Sequence, residues 1–336
     1  MSQTKIRYLS LIVMTIAALS YTTSDLMAID SKAGTAAYSF LKVGTGAKSQ
    51  ALGGAFVGLA DDETALYYNP AGLTAATGES YELYDDLLDK PINKPINNSF
   101  TASYINYLLD FQYGFVGYLR KLDEKTTAGI SIAYQNYGTF NRLNTIGDNI
   151  GTFGASDMAL GLTYSKAIRS GWSIGATGKF IYEKIDTYSS NGLGFDLGVM
   201  FLPEKNTRIG FALTNLGAQL SGLTPTHKDP LPTKVALGLS HRLRGLPTVF
   251  TSEVGKPYDS DFYLSLGMEI VSLQPFYLRV GWSTTGKDYK IGTDNDILAG
   301  FAGGFGYSYR EYTLDYSYSS YADLGNVHRV TLGAGF

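Results

Sequence analysis

The chain has 336 residues, a formal net charge of −3, no cysteine, and 39 glycines, 26 tyrosines and 17 phenylalanines against only 17% charged residues. That length fits one large or two medium domains with a sizeable core. The charge balance excludes nucleic acid as a partner, and the absence of cysteine excludes a disulfide framework, a lipoprotein anchor and any thiolate metal or nucleophile site.

At the N-terminus, Lys5 and Arg7 precede an apolar run from Tyr8 to Leu19. The run is too short to span a bilayer as a helix and has the form of a secretory signal, with cleavage expected after Ala28. Beyond it no apolar run is long enough for a transmembrane helix, which leaves an exported soluble protein or a barrel.

Residues 29–98 lack sustained periodicity. The stretch "GTGAKSQALGGAFVGLADDETALYYNPAGL" at 44–73 concentrates Gly44, Gly46, Lys48, Gly53, Gly54, Asp61, Asp62, Asn69, Pro70 and Ala71. Gly44 to Ser49 falls short of a phosphate loop, because alanine separates Gly46 from Lys48 and no buried strand precedes it. The dinucleotide pattern is incomplete as well, with serine at position 49. A short helix is expected near 48–59, a turn set by Asn69-Pro70, and close passage of the backbone at the glycines. "KPINKPINN" at 90–98 reads as an extended linker.

From Ser99 to Phe336 hydrophobicity alternates with period two. Leu193, Phe195, Leu197, Val199 and Phe201 share one face of their segment, and Gly194, Asp196, Gly198 and Met200 the other. Fourteen segments are expected: 99–109, 111–121, 125–138, 154–168, 171–184, 192–203, 205–216, 233–244, 246–256, 261–270, 274–284, 296–305, 307–318 and 326–336. Their lengths suit a tilted crossing of a membrane, and their connectors alternate short turns with longer loops, as an outer-membrane barrel requires. One face is almost free of charge; the other carries Lys179, Asp196, Arg208, Lys234, Glu269, Arg279, Arg310, Asp315 and Arg329 in mid-strand. These charges, of both signs, are expected to face the lumen as a ladder of ion pairs anchoring a plug, with Lys48 paired to a lumen carboxylate. Aromatic rings collect at strand ends as interfacial girdles, and the last strand ends on a terminal phenylalanine.

Hydrocarbon offers no hydrogen-bond partner, so such a sheet must close, giving an all-β fold: a transmembrane antiparallel barrel of fourteen strands. A lumen this wide needs a filling, and residues 29–98 are the expected plug.

The stretch at 44–73, with "LTNLG" at 213–217, "DPLPTKVALGLSHRL" at 229–243 and "DLGNVHRVTLGAGF" at 323–336, resembles the PorV/PorQ family, a branch of the outer-membrane barrels related to the fatty-acid channel FadL. The resemblance implies a FadL-like barrel with an internal N-terminal hatch containing Asn69, Pro70 and Ala71. In FadL-like members hydrophobic molecules bind near the hatch and leave through the wall; in PorV and PorQ the barrel serves type IX secretion. The expected partners are therefore outer-membrane lipids, the barrel insertion machinery, and either a hydrophobic small molecule or exported protein cargo met by loops 139–153, 217–232 and 285–295.

Other chemistry is weakly signalled. His328 with Thr331 or Ser317 is the one conceivable hydrolase pair, and Asp294-Asn-Asp296 lacks the glycine and distal glutamate of a calcium loop. Asp61 and Asp62 read as a turn cap or an ion pair with the wall. No enzyme activity, cofactor or metal is expected.

Overall fold

The computed structural model describes residues 32–77, 84–85, 90–91, 96–224, 226–243 and 246–336. The expected signal at 1–28 lies outside them. Fourteen antiparallel strands form the wall: β1 (Asn98–Asn106), β2 (Gln112–Asp123), β3 (Thr126–Leu143), β4 (Asn149–Arg169), β5 (Trp172–Ile185), β6 (Tyr188–Glu204), β7 (Thr207–Ser221), β8 (Lys234–Arg242), β9 (Thr248–Pro257), β10 (Tyr263–Ile270), β11 (Phe276–Ser283), β12 (Phe301–Tyr309), β13 (Tyr312–Ser320) and β14 (Asn326–Gly335). Each strand pairs with its sequence neighbour, and β14 pairs with β1 from His328↔Asn106 to Gly335↔Ser99. Closure satisfies both edges, as a sheet in hydrocarbon requires.

The polarity of the wall is inverted relative to a soluble barrel. In β6, Leu193, Phe195 and Leu197 are exposed while Gly194, Asp196 and Gly198 are buried. Leu162 is 62% and Leu237 56% exposed on the same outer surface. A continuous apolar belt of this size has no aqueous explanation and matches the lipid-facing band of an outer-membrane barrel.

Short turns at 124–125, 170–171, 205–206 and 310–311 gather at one end, together with the chain's last residue, and mark the periplasmic rim. At the other rim the expected loops are partly strand. β3 and β4 continue their ladder to Leu143↔Asn149, so the loop expected at 139–153 shrinks to five residues, 144–148. Past the lipid band nothing forces a ladder to stop, and these residues keep pairing. β7 likewise runs to Ser221.

A second departure is one of register. β12 begins at Phe301 rather than 296, because Asp294–Leu298 forms a 3-10 turn with a capping box at Thr293 and Asp296. The turn expected at Gly306 therefore falls at Arg310-Glu311, and Gly306 sits in mid-strand opposite Asp315.

Residues 32–77 run inside the wall. Their helical turns are α1 (Ala47–Ala51), α2 (Ala65–Tyr68) and α3 (Leu73–Ala76), joined by 3-10 turns. The helix expected over 48–59 stops after one turn because Gly53 and Gly54 take φ of 68° and 80°. The core is formed between this segment and the inner wall: Phe40, Leu52, Phe56, Leu66 and Leu73 pack in one cluster with Ile105, Tyr113, Phe115 and Leu119 of β1 and β2.

Candidate functional site: a lumen divided by the N-terminal segment

The inner segment is seated chiefly through its backbone. Gly198 of β6 faces Asn69, and a Cβ added there would lie 2.1 Å from Asn69 Oδ1. At Gly210 of β7 it would lie 2.1 Å from the Val57 carbonyl, at Gly238 of β8 2.3 Å from the Gly58 nitrogen, and at Gly281 of β11 2.0 Å from the Gly53 nitrogen. A row of wall glycines thus receives the segment without side-chain spacers. Asn69 makes the expected turn: its Oδ1 accepts from Ala71 N at 3.1 Å, and its Nδ2 donates to the Val57 carbonyl at 2.9 Å. Proline at position 70 opens the next 3-10 turn with its missing N–H unneeded.

Wall charges complete the seat, though differently from the expected ladder. Arg208 donates to the Leu59 carbonyl at 3.0 Å, and Arg329 to the Gly44 carbonyl at 3.2 Å. Glu253 of β9 accepts from Phe56 N at 3.0 Å and Val57 N at 2.9 Å. A Gly- and Ala-rich insert offers amides and carbonyls rather than charged side chains, so the wall binds those. Glu253 was absent from the expected lumen charges, yet it lies on the inward register of "VFTSEVGKP" and is detectable by the same alternation.

The remaining predicted charges pair across the wall. Lys179 meets Asp196 at 2.6 Å and Asn215 Oδ1 at 2.8 Å, while Arg279 bridges Glu269 at 2.5 Å and Asp315. Lys234 stands 3.8 Å from Glu253. Arg310 corrects the expectation: the register shift of β12 moves it from mid-strand to the periplasmic turn, where its guanidinium lies over Tyr309.

Lys48 also differs, pairing not with the wall but with Asp61 of the segment itself at 2.7 Å. Burial opposes its charge, but Asp61, aided by Glu269 and Asp62, outweighs burial and raises the ammonium pKa. Asp61, desolvated yet held by Lys48 and Arg208, is lowered. Asp62 caps the following turn through Thr64 N at 2.8 Å; burial, only partly offset by Lys48, raises it to about 6. Glu63, buried and beside Asp62, is raised to about 7 and accepts from Ser99.

Two chambers flank this partition. The periplasmic one, about 900 Å³, is lined by Lys48, Asp62, Glu63, Glu269, Arg279 and Arg310 among others. The outer one, about 520 Å³, is lined by rings including Tyr67, Tyr107, Phe111, Tyr263, Tyr289 and Tyr321. Gly46, Ala47 and Lys48 face the first; Gly44, Gln50, Gly53 and Gly54 face the second. The stretch 44–54 is therefore part of the partition between them, together with 61–68, whose Asp61 to Thr64 face the first chamber and Tyr67 and Tyr68 the second. The outer chamber also reaches a β-bulge in the wall. The β6–β7 ladder shifts register between Phe195↔Leu216 and Leu197↔Leu213, and Thr214 and Asn215, the latter at φ 58°, line the chamber there.

The hydrolase pair does not assemble. His328 faces outward and bonds the Tyr316 hydroxyl at 2.8 Å, whereas Thr331 and Ser317 face inward. An odd spacing along one strand places two side chains on opposite faces. Asp296 accepts from Gly292 N at 2.7 Å as a cap, and among the described residues no group of three acidic or histidine side chains is placed to hold a metal ion.

No family model matches the chain, and no curated protein sequence does. Solved structures are similar to it. The toluene transporter TodX of Pseudomonas putida superposes with a TM-score of 0.56 at 14% identity, over 87% of this chain and 96% of that one. The monoaromatic hydrocarbon channel CymD gives 0.56 at 12% identity, covering 88% and 98%. A Pseudomonas aeruginosa FadL homologue gives 0.55 at 11%, covering 87% and 98%. At these identities the likeness concerns the fold, which is that of the FadL-like outer-membrane barrels.

Proposed function

We propose that this barrel passes hydrophobic small molecules across the outer membrane, with residues 44–73 as its hatch. The observation that carries the reading is the pair of chambers, about 520 and 900 Å³, opening toward opposite rims of one barrel and separated by the partition of 44–54 and 61–68. The aromatic lining of the outer chamber suits an apolar body, and the hydrocarbon cargo of TodX and CymD is consistent with it. The β-bulge at Thr214 and Asn215 is the place in the wall at which a lateral exit toward lipid would open, and displacement of the hatch joins the chambers. The periplasmic chamber, rich in charge, is a release compartment rather than a binding pocket.

The test is uptake of a lipophilic fluorescent probe and leakage of small solutes in proteoliposomes. Deleting 44–73 should make the vesicles leaky; unchanged permeability in a correctly folded barrel would sink the hatch, and absence of probe uptake by the intact protein would sink transport.

A second reading, a PorV/PorQ-type dock for type IX cargo, has one observation behind it. The β3–β4 hairpin beyond the lipid band exposes Leu143 (59%), Ile146 (82%) and Ile150 (59%). Co-purification of exported proteins that is lost when these three become serine would favour it over transport.

A further inference from the structure

Three features, two in the lining of the outer chamber and one behind it, do not follow from a purely hydrocarbon cargo. The first is Lys234. Its neighbour Glu253 already accepts Phe56 N, Val57 N and, at 2.6 Å, the Tyr263 hydroxyl. With those acceptor positions filled, Lys234 keeps a loose 3.8 Å pairing and a place 5.9 Å over the Tyr263 ring, and presents its remaining donors to the chamber. The other lining lysines are engaged closely, Lys42 with Asp259 at 2.7 Å and Lys179 with Asp196 at 2.6 Å.

The second is Arg329, fully buried behind Gly44 and Tyr321. It bonds the Gly44 carbonyl, the Ser319 hydroxyl at 3.0 Å and the Tyr321 hydroxyl at 3.5 Å, all neutral acceptors. A buried cation without a carboxylate favours negative charge nearby. The third is Gln135 of β3, which lines the chamber, is 2% exposed, and has a side-chain carbonyl with no donor. Leaving a buried acceptor unmet is costly, and a ligand hydroxyl would meet it.

Around these groups the rings offer faces rather than hydroxyls. Tyr67 spends its O–H on the carbonyls of Leu41 at 2.6 Å and Val43 at 2.9 Å, and Tyr263 spends its own on Glu253. Tyr289, Tyr321 and Tyr107 form a contiguous cluster, with centroids 4.6 and 6.1 Å apart. Among the described residues Asp288 at the loop rim is the one lining carboxylate besides Glu253, and burial raises its pKa.

Building on the transport reading, we infer that the outer chamber binds a small hydroxylated aromatic carboxylic acid, its carboxylate on Lys234, its hydroxyl on Gln135 and its ring among the tyrosines. A ring matches the aromatic lining better than a flexible chain, which loses more rotamer entropy on binding. A plain hydrocarbon leaves Lys234 and Gln135 unmet.

The test is titration calorimetry on the full purified barrel in detergent with 4-hydroxybenzoate, benzoate, toluene and a medium-chain fatty acid. The hydroxy acid should bind at least tenfold tighter than toluene and tighter than the fatty acid. Lys234→Met should lose tenfold or more for both aromatic acids, Lys234→Arg should restore binding, and Gln135→Leu should weaken the hydroxy acid several-fold while sparing benzoate. Heat-modifiable migration on gels checks that each variant is folded. Equal binding of toluene, preference for the fatty acid, or indifference to Lys234→Met overturns the inference. Probe uptake that persists while the acids do not bind overturns it and leaves transport standing; acid binding without any uptake supports it and sinks transport alone.

Discussion

Replacing Glu253 by alanine should unlatch the hatch. Its carboxylate, only 1% exposed, holds two consecutive hatch amides, Phe56 N at 3.0 Å and Val57 N at 2.9 Å. Removing the acceptor leaves two buried donors unmet at about 1–3 kcal/mol each, roughly 2–6 kcal/mol together, before any change in Tyr263 and Lys234 is counted. With tenfold per 1.4 kcal/mol, the lower end alone raises the displaced fraction of the hatch roughly thirty-fold. Single-channel recording in planar bilayers reads this as more frequent openings, and hydrogen exchange as loss of protection around residues 52–58. Glu253→Gln should fall between, because an amide oxygen still accepts but without charge. The exposed turn variant Glu124→Ala serves as the control. Wild-type conductance and unchanged exchange in a folded Glu253→Ala barrel would refute the claim that the wall grips the hatch through its backbone.

Further expectations follow from other contacts. Gly198→Val should push the Asn69-Pro70 turn off the wall, since even a Cβ lies 2.1 Å from Asn69 Oδ1, at a cost of about 1–3 kcal/mol; a melting temperature equal to wild type would contradict the close approach. Glu63, raised from 4.5 to about 7, and Asp62, raised from 3.8 to about 6, favour the seated hatch when protonated. Their contribution is complete below about pH 4 and is lost as pH climbs through 6 and 7, so hatch amides should exchange faster at pH 8 than at pH 5 after correction for intrinsic rates, and Glu63→Gln should flatten the profile. Asp61, lowered instead, loses its contribution only below its usual range, outside that window. Deleting Asn215 alone should remove the extra residue of the bulge, restore the β6–β7 register and reduce probe uptake without affecting small-solute leakage; undiminished uptake would remove the lateral exit.

The wall was legible because a spanning strand has two faces in two solvents, so alternation survives tertiary packing and all fourteen segments could be located. What escaped was where ladders stop. β3, β4 and β7 outrun the lipid band, and β12 starts late because Asp296 caps a turn within an otherwise strand-like run. The site was harder to read for a different reason. Hatch and wall meet backbone to backbone, and neither Gly198 nor Gly210 carries a side chain whose chemistry names its partner. Charges were visible, but not their choice between a side-chain partner and a carbonyl. Arg329 takes neutral acceptors, Arg208 donates to the Leu59 carbonyl while its charge also acts on Asp61, and Lys48 takes Asp61, thirteen residues on in the same segment. The unassigned polar groups of the outer chamber, Lys234 and Gln135, were distinguishable only once the contacts of Glu253 had been accounted for.

The two halves of the hatch are held unequally, which decides where an opening starts. Residues 64–77 bury Leu66, Tyr68 and Leu73 completely or nearly so, and Leu66 packs against Gly129 and Gly117 of the wall. Each large apolar side chain there contributes about 1.5–3 kcal/mol to the seat. Residues 44–54 contain one large apolar side chain, Leu52, and are otherwise Gly, Ala, Thr45, Ser49, Gln50 and Lys48, whose partner Asp61 lies within the segment itself. They lean on a strip of equally small groups, with Gly281, Gly304 and Thr331 beneath α1, and are tied to the wall by Ala47 N to Thr331 at 2.8 Å and Arg329 to Gly44. Two such bonds amount to about 2–4 kcal/mol net, and with the buried Leu52 to about 3.5–7, below the roughly 4.5–9 of Leu66, Tyr68 and Leu73 together. Both halves face both chambers, with Thr64 and Ala76 on the first and Tyr67 and Tyr68 on the second, so the weaker half, 44–54, is where the partition gives way first. Amide exchange in the membrane-embedded protein should therefore be fast across 44–54 and slow across 65–76; uniform protection over both would mean that the hatch moves as one body or not at all.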